Sequence, residues 1–181
     1  MKIIEYPNRL KERDRSNIYY TIMDTLIGKL VIASTERGLV RIMLPSEERN
    51  DFYSYINRIY PEETLVEDQG GNQQVIDQLH EYFDGDRTTF SLSLELRGTE
   101  FQRSVWKVVS DVPYGQTRSY GEIAREIGRP KACRAVGGAN GANPIPIVIP
   151  CHRVIGSDGS MTGFGGGIPL KKKLLRLEKT T

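Results

Sequence analysis

Three short runs rich in β-forming residues, at 18–23, 28–34 and 38–44, are punctuated by Gly and Asp, which predicts an antiparallel meander. Residues 47–59 then read as a helix. In residues 72–83 the apolar positions Val75, Ile76, Leu79 and Phe83 fall on one helical face, and Gly85 supplies the stop. Residues 88–96 alternate apolar and polar and read as either a last strand or an extended linker. The boundary of this first region belongs near Gly98.

From residue 99 the pattern changes to helices separated by Gly and Pro. Residues 100–111 form an amphipathic helix with Phe101, Val105, Trp106, Val108 and Val109 toward a core, stopped by Pro113 and Gly115. Ser119 and Glu122 stand at capping-box spacing at the head of residues 119–127. After the break at Gly128-Arg129-Pro130, residues 131–140 form another short helix, and the pair has the spacing of a helix-turn-helix. A last helix covers residues 169–179. The expected fold class is α+β: an N-terminal antiparallel β-sheet domain with helices (1–97) and a mostly helical C-terminal domain with a helix-turn-helix (98–181).

Composition narrows the class of protein. At 181 residues the chain is long enough to bury a core without disulfides or metal. No apolar run approaches the roughly 20 residues that span a bilayer, and residues 1–5 have no signal-peptide core, so a cytoplasmic location is expected. Cys133 and Cys151 make no disulfide framework, and with only His80 and His152 beside them no zinc site is expected. The net charge of +2 conceals a split: residues 1–97 carry 12 Lys/Arg against 17 Asp/Glu, whereas residues 98–181 carry 13 against 6. Either the C-terminal half meets a polyanion, or the split is a dipole between two domains with no partner.

The candidate chemistry lies in the basic half. Pro150-Cys151-His152-Arg153 follows the apolar run 145–149 and sets a thiol beside an imidazole. A thiol near its ordinary pKa of about 8.5 is only a few per cent thiolate at neutral pH, so a reacting Cys needs such a neighbour. A buried Cys packing as a small apolar residue fits the dipeptide equally well. The helix at 131–140 offers Arg134 and otherwise mostly Ala and Gly, which is too plain for major-groove readout. Its small face suits either close approach to a minor groove through phosphates or helix-helix packing. A thiol can reach a base only after the base leaves the stack. Arg134 could then fill the gap and Tyr120 press on the adjacent phosphate, although Arg134 by residue type is equally a solvated charge.

Taken together, Pro-Cys-His-Arg-Val at 150–154, Arg134-Ala-Val-Gly-Gly, Asn143-Pro144 and Gly163-Phe-Gly-Gly-Gly resemble the O6-alkylguanine-DNA alkyltransferases, also called methylated-DNA-protein-cysteine methyltransferases. The resemblance covers residues 101–178, and the N-terminal part resembles the family only in size and strand content. It implies that Cys151 takes the alkyl group irreversibly from O6 of a guanine flipped out of double-stranded DNA, in a single turnover, with O4-alkylthymine an open second substrate. By the same resemblance His152 deprotonates Cys151 through a water, Glu178 holds the imidazole's other nitrogen, and Asn143 stabilises the loop and the relay. Tyr120 then serves the leaving guanine and the phosphate, and the carbonyls of Cys151 and Val154 accept from the exocyclic amine. Val154, Ser157, Gly163, Phe164 and Gly165 would wall the pocket, while Arg134, Tyr120, Gly121, Arg129 and Ser157 would meet DNA through the minor groove without sequence specificity. A monomer without cofactor or membrane partner is expected.

Departures from the family pattern carry their own expectations. Some relatives hold zinc in the N-terminal domain, but residues 1–97 here have no Cys and only His80, so no metal is expected. Phe164 stands where many relatives have Tyr, and Gly165 follows, which predicts a roomier pocket and tolerance of alkyl groups larger than methyl. The Gly-rich loop lacks the strand-before, helix-after context of a phosphate loop. Lys171, Lys172 and Lys173 read as a wet helix face.

Overall fold

The computed structural model describes residues 17–179, so the segment at residues 1–5 lies outside the described residues. Strands β1 (Asn17–Thr25), β2 (Gly28–Thr35) and β3 (Gly38–Met43) form the expected antiparallel meander. Helix α1 (Arg49–Ile59) leads into a fourth strand, β4 (Thr64–Glu67), which pairs parallel to β1. The sheet order is β3-β2-β1-β4. Sequence patterning missed β4, because four residues are too short to show a period.

Alternation along β2 decides how the sheet is covered. Leu30 and Ile32 point into one hydrophobic cluster, while Val31 and Ala33 point into another with Phe52, Ile56 and Tyr60. Helix α1 thus covers one face. The opposite face receives α2 (Gln73–Asp84), whose C-cap Gly85 sits at φ 86°, and then the helices of the C-terminal half. Residues 88–96 are an extended connection that touches the sheet at one bridge, Leu39 to Leu94, rather than a full strand. Gly38, at φ 143°, is required where they cross: a Cβ there would lie 2.4 Å from the Ser93 carbonyl oxygen.

The C-terminal half contains α3 (Glu100–Ser110), β5 (Arg118–Ser119), α4 (Tyr120–Glu126), α5 (Cys133–Gly141), β6 (Val154–Ile155) and α6 (Gly167–Lys179). Thr99 with Gln102 and Ser119 with Glu122 form reciprocal capping boxes at α3 and α4. Trp106 on α3 is buried and donates its indole N–H to the Ala139 carbonyl at 2.8 Å, which fixes α5 against α3. One cluster joins Leu30, Ile32 and Leu79 from the first half to Val105, Trp106, Val136 and Leu174 from the second, so the core runs unbroken past Gly98.

Candidate functional site

The segment before Cys151 is held in a tight, buried turn. Ile147 has φ 75°, a left-handed conformation that a β-branched residue adopts at a cost of about 1–3 kcal/mol. Asn143 clamps the turn from within: its amide N–H donates to the Ile149 carbonyl at 2.8 Å, and its oxygen accepts from the Ile145 N–H at 3.0 Å. The Ile42 N–H of β3 donates to the Pro144 carbonyl at 3.0 Å, which ties the turn to the sheet edge. The chain then enters a single 3-10 turn, Cys151–Arg153, whose three residues are buried.

Cys151 is 5% exposed, and burial pushes its thiol up to about 11, against smaller opposing effects of the Asn143 amide and the Lys171 ammonium. It therefore stays protonated at neutral pH until a base removes the proton. His152 is adjacent and fully buried, and burial lowers its pKa, opposed by the hydrogen bond to Glu178. Its Nε2 lies 2.7 Å from Glu178 Oε1. Burial alone would raise the Glu178 pKa, but hydrogen bonds from His152 and Arg153 hold it down to about 2. An ionised carboxylate can only accept, so Nε2 carries the proton and Nδ1 is left with its lone pair. Nδ1 is buried and has no protein partner, so it is free to take a proton.

Glu178 is the hub of this cluster. Oε1 also accepts from the Tyr82 hydroxyl at 2.8 Å and from Arg153 Nη2 at 2.9 Å, while Oε2 accepts from Arg153 Nε at 2.9 Å and the Gly115 N–H at 3.3 Å. Arg153 in turn donates Nη1 to the Val112 carbonyl at 2.6 Å. Every charge in the cluster is buried and paired, the condition under which buried ions are tolerated.

Lys171 overturns the expectation of a wet face: it is fully buried, whereas Lys172 and Lys173 are exposed. Its ammonium donates to the carbonyls of Val154 at 2.5 Å and Thr162 at 2.9 Å, so it braces the Gly-rich loop against β6. The reason is helical geometry. Lys171, Leu174, Leu175 and Glu178 recur at i, i+3, i+4 and i+7 and share the buried stripe of α6.

The other expected site residues lie outside this buried cluster. Tyr120 is half-buried at the head of α4, its hydroxyl donating to the Thr162 carbonyl at 3.0 Å. A Cβ on Gly163 would lie 3.6 Å from that hydroxyl. Ser157, Arg129 and Arg134 are exposed and Gly121 is half-buried, on the turn after β6, the α4–α5 turn, α5 and α4 respectively. On α5, Val136, Ala139 and Asn140 face the core, while a Cβ on Gly138 or Gly141 would meet nothing within 4 Å. Those two glycines are not there for helix-helix packing. Behind the thiol lies a cavity of about 120 Å³ lined by Cys151, Asn140, Asn143, Pro146, Phe164 and Gly165, with Arg41, Leu44 and Glu47 from the sheet side.

Sequence reasoning missed Tyr82, Arg153, Lys171 and the sheet-side wall at Arg41. Two of these had a signal: Tyr82 stands three residues after Leu79 on the stripe already assigned, and Lys171 lies on the stripe of Leu174 and Glu178. Arg41 and the tie between Tyr82 and Glu178, 96 residues apart, had none. Among the described residues no group of three or more His, Cys, Asp or Glu could hold a metal ion, and no helix is long and apolar enough to cross a membrane.

Comparison with known proteins places this architecture. Residues 18–96 match the 6-O-methylguanine DNA methyltransferase, ribonuclease-like domain, and residues 100–180 match the 6-O-methylguanine DNA methyltransferase, DNA binding domain. The chain belongs to the 6-O-methylguanine DNA methyltransferase family. It is 46% identical over 163 residues to the methylated-DNA--protein-cysteine methyltransferase of Mycobacterium tuberculosis, covering 90% of this chain and 93% of that protein. It is 39% identical over 168 residues to the inducible enzyme of Bacillus subtilis, covering 93% and 94%. The crystal structure of Mycobacterium tuberculosis OGT in complex with DNA superposes with a TM-score of 0.78 at 45% identity, covering 90% of this chain and 93% of that one.

Proposed function

We propose that this protein repairs duplex DNA by moving the alkyl group of O6-alkylguanine onto Cys151, once per molecule. The observation that carries the reading is the buried Cys151-His152 pair whose imidazole is oriented by Glu178 at 2.7 Å, leaving Nδ1 without a protein partner. His152 removes the thiol proton through a water. The sulfur lone pair then attacks the alkyl carbon, an S–C bond forms, the C–O6 bond breaks, and its electron pair stays on the guanine. The Tyr120 phenol leaves the Thr162 carbonyl and donates to the guanine ring nitrogen as that negative charge develops. A thioether has no easy hydrolytic exit, so the thiol is not regenerated.

DNA contact falls to the C-terminal half, residues 98–181. The plain outer face of α5 lies in the minor groove and meets phosphates without reading sequence, and Arg134 fills the stack after the guanine is flipped. Gly121, Arg129 and Ser157 flank that contact, and the carbonyls of Cys151 and Val154 select guanine. Residues 1–97 form a supporting domain, the protein acts as a monomer, and the two free cysteines suit a reducing cytoplasm. The cavity behind Cys151, with Phe164 and small Gly165 in its wall, accommodates alkyl groups larger than methyl.

The test is to incubate the protein with a duplex carrying O6-methylguanine and weigh its peptides. One methyl group on the Cys151 peptide, absent in Cys151→Ala, is expected; intact DNA binding without that increment would leave a sensor of alkylated bases instead. O6-benzylguanine duplexes test pocket size, since no reaction with the bulky group would refute tolerance. O4-methylthymine duplexes decide the second substrate.

A further inference from the structure

The N-terminal half reaches the relay carboxylate through the Tyr82 hydroxyl. We infer that the Tyr82 hydroxyl is a positioning group for the alkyl-transfer relay, supplied by the N-terminal half and acting through Glu178. The inference rests on the proposed transfer reaction and gives the N-terminal half a part in it.

The geometry is specific. Tyr82 is fully buried on α2, and its ring is locked by edge contacts with Phe83 and Tyr114, at centroid distances of 5.3 and 6.1 Å, and by a tilted contact with Phe90 at 5.5 Å. A ring so held aims its hydroxyl in one direction only. It donates at 2.8 Å to Glu178 Oε1, the same oxygen that faces His152 Nε2 at 2.7 Å. Arg153 grips the carboxylate from another side, with Nε reaching both oxygens at 2.9 and 3.2 Å. Without Tyr82 the carboxylate would be held by the Arg153 fork, a partner that forms two-pronged contacts by preference, and by the Gly115 N–H on Oε2. Oε1 would then be free to turn away from the imidazole.

That competition has a chemical consequence. His152 is a base only while Nε2–H is held by the carboxylate and Nδ1 keeps its lone pair, and the imidazolium formed on taking the Cys151 proton is stabilised by the same carboxylate. The groups that set this balance come from every neighbouring element: Tyr82 from α2, Tyr114 from the loop after α3, Cys151, His152 and Arg153 from the 3-10 turn, and Lys171 and Glu178 from α6. Tyr82 itself stays protonated, since burial and then the Glu178 charge raise its pKa. It is a permanent donor across the working pH range.

The experiment compares the full chain with Tyr82→Phe, which keeps the ring, and with Phe90→Leu, which disturbs the same ring cluster without touching the carboxylate. Methyl transfer from an O6-methylguanine duplex is timed as a function of pH, and the side-chain nitrogens of His152 are followed by 15N NMR without DNA. Tyr82→Phe is expected to bind the duplex like the parent, to transfer about tenfold more slowly, to move the midpoint of its pH-rate curve downward because Glu178 no longer raises the His152 pKa, and to lose the single Nε2–H tautomer. Phe90→Leu is expected to melt earlier with an unchanged midpoint and tautomer. Superimposable pH-rate curves and unchanged His152 signals in Tyr82→Phe would overturn the inference. If the parent transfers nothing, the proposed function falls, and the His152 nitrogens still decide whether Tyr82 orients the relay.

Discussion

Glu178 and Arg134 show two opposite uses of charge in one half of the chain. Glu178 is 2% exposed and receives hydrogen bonds from Tyr82, His152, Arg153 and Gly115. Arg134 is exposed on α5, beside glycines whose absent side chains would touch nothing. Around Glu178 the fold completes its own electrostatics, because an unpaired buried charge costs several kcal/mol. On the outer face of α5 Arg134 is left in solvent, and the proposed function puts DNA there. In that proposal, polar groups satisfied inside the protein orient chemistry and groups left outside it meet the substrate.

The contrast is broken most severely at its buried end. Glu178→Ala should slow methyl transfer by about 10²–10⁴-fold, the usual share of a positioned base, and should lower stability by about 3–5 kcal/mol because Arg153 is left buried and unpaired. Stopped transfer kinetics and thermal melting check both. The same carboxylate sets an acid limit: its pKa of about 2 lies below the ordinary 4.5. Its stabilising contribution is therefore complete above about pH 4.5 and is lost as pH falls toward 2. Melting temperatures across that window should fall in the parent more than in Glu178→Gln.

At the exposed end the expected effects are smaller and of another kind. Arg134→Ala should slow transfer from a duplex about tenfold while leaving transfer from a single strand, which needs no flipping, nearly unchanged; equal slowing on both would remove its role in the stack. Gly138→Ala sharpens the comparison most finely: it should stabilise α5 by about 0.5–1 kcal/mol and yet weaken duplex binding, as measured by melting and fluorescence anisotropy.

Much of the site was legible because its signals are local. Ser119 with Glu122 gives a cap at fixed spacing, Pro150-Cys151-His152 places the thiol beside its base, and the Gly and Ala positions of α5 mark a plain face. Lys171 alone of residues 171–173 was misread, because three consecutive lysines suggest a solvated surface, whereas the period of Leu174, Leu175 and Glu178 turns the first of them inward. β4 was missed because a four-residue strand is recognisable only by its partner, β1.

By itself, then, the sequence determined the elements that depend on neighbours within a few residues: caps, turns, the periods of β1 to β3 and α2 to α6, and the adjacency of Cys151 and His152. The tertiary structure decided which oxygen of Glu178 His152 shares, that Tyr82 reaches it from 96 residues away, and that Lys171 spends its charge on the carbonyls of Val154 and Thr162. The physical reason is range. A capping box closes within one turn of helix, whereas a buried charge is satisfied by whichever donor the packed core brings to it, and that choice is made only when the sheet and the helices of both halves close around one core.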